Sequence, residues 1–137
     1  MRKLNYELKW LCIRNREGGH VTQASRKRIL TLIANQLHAL GFRNMGVHSL
    51  KPKHVQRLVE VWANGDDALG WKPVSIGTVK NRLAQLRWWA GKANKAGVVA
   101  KSNAFYGSED TWTKRGKERA LRVRTERQRG LAERPVG

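Results

Sequence analysis

The sequence is short of acidic residues, cysteine and long apolar stretches, and each shortage excludes a class of protein. Asp and Glu number 10 against 28 Lys and Arg, a formal charge of +18. Such a charge repels itself unless a polyanion neutralises it, so nucleic acid rather than a small-molecule substrate is the expected partner. Cys12 is the single cysteine, which excludes an intrachain disulfide and fits a reducing cytosol. Without an apolar run that could cross a bilayer or serve as a signal peptide, we expect a cytoplasmic, nucleoid-associated protein without membrane contact.

The positive charge is not confined to one end of the chain. Residues 1–107 hold 19 basic and 5 acidic side chains, a formal charge of +14, and residues 108–137 hold 9 and 5, a charge of +4. We therefore predict a basic DNA-binding domain over residues 1–107 and an Arg-rich C-terminal helix or tail over residues 108–137. Ser108 is a candidate cap for that last helix, which is poor in apolar residues and is expected to be exposed or frayed.

Hydrophobic periodicity predicts helices throughout the domain and leaves no segment for strands. Apolar residues recur every three or four positions in residues 2–15, in 23–40 after a Thr22 cap, in 52–64 after Lys51, and from a Ser75 cap to Gly97. The segment between Gly97 and Gly107 is predicted to be a loop. The fold class is all-α, a compact four- to five-helix bundle whose core includes Trp62 and one of the two adjacent tryptophans Trp88 and Trp89.

Three predicted helix beginnings are rich in basic and polar side chains. A helix N-terminus offers backbone N–H groups and a positive dipole end to phosphate, and a helix fits the DNA major groove. We expect these beginnings to converge on one side of the bundle and to grip two strands of phosphate. The candidate DNA-binding residues are Thr22, Gln23, Arg26 and Arg28; Lys51, Lys53, His54 and Arg57; and Ser75, Thr78, Lys80, Asn81, Arg82 and Arg87. A basic line of Lys80, Arg87 and Lys95 is predicted along the last of these helices.

The same segments resemble a known family. Residues 22–28, the LKPKHV stretch from Leu50, the run SIGTVKNRLAQLRWW from Ser75 and the NAFYG stretch from Asn103 are similar to the N-terminal core-binding (SAM-like) domain of tyrosine recombinases, the phage and integrative-element integrases. The resemblance covers about residues 1–107. It implies a SAM-like helical bundle that clamps one face of the duplex at a recombination or attachment site, with Thr78, Lys80, Asn81, Arg82 and Arg87 on the reading helix.

The sequence departs from a complete integrase in having no room for the catalytic domain. His54 and Arg57 match the His-x-x-Arg pattern of that domain, but they precede the reading helix and are better interpreted as phosphate ligands. Neither tyrosine has a general base at a recognisable spacing, and the cysteine and histidines lack the paired spacing of a zinc site. We therefore predict no enzyme activity, no metal and no cofactor.

Two other functions fit the composition. The Arg-rich segment from Lys114 to Arg129 could fold on structured RNA, which would make the chain an RNA-associated basic protein. Exposed tryptophans could instead dock an adaptor onto a DNA-bound recombination complex. The first interpretation remains a module that binds double-stranded DNA beside another copy of itself or a recombinase.

Overall fold

The computed structural model describes residues 2–106, which form four α-helices and three short 3₁₀ turns. The helices are α1 (Lys3–Arg14), α2 (His20–Ala39), α3 (Pro52–Asn64) and α4 (Ile76–Lys92). In this described part the only extended pairing is an isolated bridge between Asp66 and Trp71 in the α3–α4 loop. The predicted all-α class is confirmed. The predicted C-terminal helix beyond Ser108 lies outside the described residues.

Helix α2 begins earlier than the sequence pattern predicts. Its N-cap is Gly19, and His20 is its first residue, so Thr22 lies within the first turn rather than capping it. Gly18 adopts φ +87°, a left-handed conformation that glycine reaches without strain, and this turns the chain into the helix three residues sooner. The Gln23 side chain donates to the carbonyl of Gly18 and secures the turn. The helix ends near Gly41, as predicted, where φ is +103°.

Helices α3 and α4 begin where the sequence predicts. Pro52 occupies the first turn of α3, where its missing N–H has no partner to lose. Ser75 caps α4 by accepting a hydrogen bond from the Thr78 backbone N–H. The end of α4 was predicted wrongly. The helix stops at Lys92, five residues before Gly97, because Asn94 takes a left-handed φ of 58° and turns the chain.

One core holds the four helices together. Trp62 and Trp89 are fully buried, as are the leucines and valines that face them on each helix, whereas Trp88 is half-buried. The indole N–H of Trp89 donates to the Val47 carbonyl, so the polar atom of this large side chain is satisfied inside the core. The prediction that Trp62 and one of the adjacent tryptophans belong to the core is confirmed.

Side-chain contacts define how the helices run relative to one another. The Arg26 guanidinium, near the start of α2, lies 4.4 Å from the Trp88 ring centroid, near the end of α4. At the other end, Arg82 of α4 lies 5.4 Å from the Trp62 ring, whose indole N–H donates to Gln36 near the end of α2. Helix α4 is therefore antiparallel to α2 and α3, and its beginning lies beside their ends.

The segment after α4 is more ordered than the predicted loop. Two 3₁₀ turns, Ala96–Val98 and Asn103–Tyr106, flank Val99, which is buried in the core. The Arg87 side chain donates to the Ala100 carbonyl and the Asn103 side-chain oxygen, which attaches this segment to α4. A lack of helical periodicity therefore did not mean a lack of packing.

Candidate nucleic-acid interface

The outward face of α4 is exposed from the beginning of the helix to its end. Gly77, Asn81, Ala84 and Gly91 recur every three to seven residues and are all exposed, while Val79, Leu83 and Leu86 on the opposite side are buried. Trp88 lies between Ala84 and Gly91 on the same face, half-buried beneath the guanidinium of Arg26. Gly77, Asn81, Ala84 and Gly91 therefore form an exposed strip that Trp88 interrupts before Gly91. Another molecule can approach the helix backbone along this strip from Gly77 to Ala84.

Two glycines on this strip have no structural reason to be glycine. A Cβ added at Gly77 or Gly91 would meet no atom of the described residues within 4 Å, and both positions have ordinary helical φ values. Glycine inside a helix costs roughly 0.5–1 kcal/mol relative to alanine. Neither glycine was predicted as a site residue, although a glycine within a periodic helical run can mark a position where another molecule approaches the backbone closely.

Cationic side chains border the strip, but the fold constrains most of them. Arg82 lies over Trp62, and burial lowers the pKa of its guanidinium from the usual value. Arg87 is bound to the segment after α4. Lys95, predicted to continue the basic line with Lys80 and Arg87, lies beyond the helix end, so that prediction is wrong. Lys80 is half-buried and lies one turn from the helix start.

The first turn of α4 is closed by its own side chains. Ser75 Oγ accepts from the Thr78 N–H at 3.2 Å and shares a hydrogen bond with the Thr78 hydroxyl at 2.9 Å. Both residues therefore hold the helix start in place, and Asn81 is the polar side chain that projects from the strip itself. Lys72, exposed in the loop just before this turn, adds a cation that the sequence analysis did not single out.

The basic cluster at the start of α2 divides into packed and exposed side chains. Arg26 is only 8% exposed; it donates to the Glu17 carbonyl and covers the Trp88 ring. Gln23 is bound to the turn before the helix. Thr22 and Arg28 are exposed and can reach an external phosphate.

The cluster at the start of α3 divides in the same way. Lys51 and Lys53 are exposed, whereas His54 is 4% exposed and accepts a hydrogen bond from the Lys51 N–H on its Nδ1 at 2.9 Å. Burial lowers the pKa of His54, and the nearby charges of Lys53 and Lys51 lower it further. Arg57 pairs with Glu60 and with Asp66 at 3.3 and 3.5 Å. The expectation that His54 binds phosphate needs correction, because a buried neutral imidazole that already caps a helix is not open to an anion.

The three clusters do not meet at one end of the bundle. The beginnings of α2 and α3 lie beside the end of α4, through the Arg26–Trp88 contact and through the Val47–Trp89 hydrogen bond just before α3. The beginning of α4 lies at the opposite end, roughly 25 Å away along its 17 residues. The predicted convergence of all three helix beginnings is therefore wrong; the strip on α4 connects the two ends.

In residues 2–106, no group of three His, Cys, Asp or Glu side chains is arranged to hold a metal ion. Over the same residues, no helix has the length and apolar character needed to span a membrane.

The comparison with known families identifies the class of this all-helical basic bundle. A model of the phage integrase N-terminal family matches residues 1–96, which is most of the chain. The chain therefore belongs to the phage integrase N-terminal (SAM-like) family, and the resemblance identified from its sequence is confirmed. No curated protein and no solved structure matches it.

Proposed function

We propose that this chain binds double-stranded DNA as the core-binding module of an integrase and recognises a recombination or attachment site through the exposed strip of α4. The observation that carries the proposal is the strip itself: Gly77, Asn81 and Ala84 are exposed on successive turns of one helix, with cations along their borders. An α-helix fits the major groove of B-DNA, and an asparagine can hydrogen-bond an adenine edge there. The small residues allow the helix backbone to come close to the groove wall.

In this proposal phosphate contacts supply most of the affinity, and they come from both ends of the strip. Lys72 and Lys80 lie near its beginning, and Arg28, Lys51 and Lys53 lie on the helices whose first turns adjoin its end. The two ends of the strip lie roughly 25 Å apart, which is about seven base-pair steps at 3.4 Å each. The cations at the two ends can therefore contact phosphates at both ends of a stretch of DNA shorter than one helical turn. Arg26, His54, Arg57 and Arg87 then support the fold rather than the DNA.

The domain in this proposal spans residues 1–107 and contributes binding rather than chemistry. The last described residues are tied to it, because the Ala100 N–H donates to the Tyr106 hydroxyl at 2.8 Å. Its partners are duplex DNA and, on that DNA, a second copy or a recombinase.

Competition binding tests the proposal. The chain is titrated with a labelled duplex carrying an inverted-repeat core, and unlabelled duplexes and structured RNA compete for it. We expect the core duplex to compete best. Preferential binding of the structured RNA would contradict the proposal and favour an RNA-associated protein.

Two variants separate base reading from phosphate binding. Asn81→Ala should weaken binding to the cognate duplex by about 1–3 kcal/mol and leave scrambled duplexes nearly unaffected. Lys53→Ala should weaken all duplexes alike and reduce the slope of log affinity against log salt by about one. Equal effects of Asn81→Ala on cognate and scrambled DNA would show that the strip does not read sequence.

A further inference from the structure

A second surface, separate from the α4 strip, lies between α1 and α2. Two adjoining cavities of about 270 and 170 Å³ share Lys9, Cys12 and Lys27 and form one groove. The groove is lined by residues of α1, of α2 and of the turn between them, and nothing in the proposed DNA contact uses it.

The lining of the groove combines an apolar floor with a cationic rim. Leu8 and Leu30 are buried beneath it, and half-buried Cys12 lies between them and the opening. Burial raises the pKa of the Cys12 thiol, so the floor is uncharged at neutral pH. Lys9, Arg16 and Lys27 surround the opening, and none of the described residues that line either cavity is acidic. This pattern fits a peptide that carries both carboxylates and an apolar side chain.

Two exposed aromatic side chains lie on α1 beside the groove, without lining either cavity. Ile13 lines the second cavity, and the same flank of α1 carries Tyr6 and Trp10, which are 54% and 43% exposed. Their rings pack edge to face with centroids 6.3 Å apart. Apolar surface of this kind is covered by a protein side chain rather than by the phosphates of a duplex.

The chain itself contains a segment of the required chemistry. In the described residues, carboxylates are engaged within the fold: Glu17 pairs with Lys92, and Asp66 pairs with Arg57. Beyond Tyr106 the sequence reads Ser-Glu-Asp-Thr-Trp at residues 108–112, two adjacent carboxylates two positions before an indole. We propose that residues 108–112 of a second copy of this chain bind in the α1–α2 groove, with Glu109 and Asp110 against its rim and Trp112 on its apolar floor.

The position of Tyr106 favours a second copy over the same chain. Tyr106 lines a different cavity with Pro52 and Gln56 of α3. Helix α3 packs on the face of α2 opposite the groove, through the Trp62–Gln36 hydrogen bond, so α2 and α3 separate the two cavities by roughly 20 Å at 8–10 Å for each packed helix. Six fully extended residues span at most about 20 Å, so a chain reaches its own groove only at full stretch. Because every copy carries both the groove and the segment, the contact can be reciprocal.

Alkylation of Cys12 measures occupancy of the groove, because it is the only cysteine. The full chain is treated with iodoacetamide without DNA at dilute and at concentrated protein, and the readout is the ratio of the two rates. We expect the concentrated wild type to react about fivefold more slowly, as a few charge pairs and a buried indole predict. Asp110→Lys, Lys27→Asp and Trp112→Ala should each bring the ratio close to one. Glu133→Lys and Lys101→Asp serve as matched charge-reversal controls and should retain the wild-type ratio.

Mixing the two charge-reversed chains identifies the source of the segment. In an equimolar mixture of Asp110→Lys and Lys27→Asp, each groove meets a segment of opposite charge on the other chain, so protection should return. Protection of Cys12 could instead be independent of protein concentration and return only when Asp110→Lys and Lys27→Asp are combined in one chain. That result would overturn the proposal and show that the segment binds within its own chain. A ratio of one between the two alkylation rates of the wild type would also overturn it. So would protection of Cys12 that requires duplex DNA and is unaffected by Asp110→Lys. The absence of DNA from the main assay keeps this outcome separate from the DNA-binding proposal.

Discussion

At the scale of single residues, the arginines divide by what their guanidinium groups contact. Arg26 and Arg87 join separate segments of the bundle, and Arg57 ties α3 to the following loop. Arg28 has the same charge and lies two positions from Arg26, yet it is exposed. The sequence predicts a basic cluster but not this division, because the partners of Arg26 and Arg87 are brought to them only by tertiary packing.

Substitutions at two nearby positions in α2 test the division between arginines that support the fold and arginines that are exposed. Arg26→Ala should lower the free energy of unfolding by about 1–3 kcal/mol, because it removes a charged hydrogen bond and a contact with the Trp88 face. Arg28→Ala should change stability by less than about 0.5 kcal/mol and should weaken duplex binding instead. Urea unfolding and a duplex titration of both variants measure the two effects. A stable Arg26→Ala variant that loses DNA binding would contradict the assignment.

The imidazole of His54 predicts a pH dependence of stability. Its pKa is lowered in the fold by burial and then by Lys53 and Lys51, so the unfolded chain binds its proton more readily than the native chain does. The stabilisation is therefore complete above the unfolded pKa of about 6.5 and is lost as the pH falls below it. Urea unfolding of the wild type at pH 7.5 and 5.0 should show this loss, and His54→Asn should show less of it, because its amide oxygen can accept the Lys51 N–H at either pH. Identical pH profiles would contradict the role.

At the scale of the helices, one beginning and one end differ from the sequence prediction, and each difference follows from a left-handed backbone conformation. Ser75 and Pro52 have side chains whose own chemistry starts a helix, and both beginnings were predicted correctly. Thr22 has the same chemistry, but Gly18 turns the chain before it and the helix starts at His20. Asn94 ended α4 through a backbone conformation that the sequence pattern does not mark as strongly as Gly97.

The glycines of α4 give a prediction at this scale. Gly77→Ala and Gly91→Ala should each raise the free energy of unfolding by about 0.5–1 kcal/mol, because both positions are helical and a Cβ there meets no described atom within 4 Å. Each should also weaken duplex binding, since the methyl group stands where the DNA must approach. Urea unfolding and a duplex titration on the same samples check both signs. Increased stability with unchanged DNA binding would show that the strip does not face the duplex.

At the scale of the whole molecule, the family and the bundle were predictable, and the relative positions of the candidate DNA-binding residues were not. Helical periodicity and the run from Ser75 indicated the class of domain, which the match over residues 1–96 confirms. The relative directions of α2, α3 and α4 follow from contacts such as Trp62 with Gln36, which no local pattern reveals. For that reason the three basic helix beginnings, which were expected to lie together, lie instead at the two ends of the α4 strip.

A matched pair of alanine substitutions tests that surface most directly. Ala84 on the strip and Ala39 at the end of α2 are both exposed and helical, and each is replaced by glutamate. Binding of the two variants to a duplex is then titrated at several salt concentrations. If α4 faces the DNA, Ala84→Glu weakens binding about tenfold or more through repulsion of phosphate, while Ala39→Glu stays close to the wild type. Equal binding by the two variants would contradict the account.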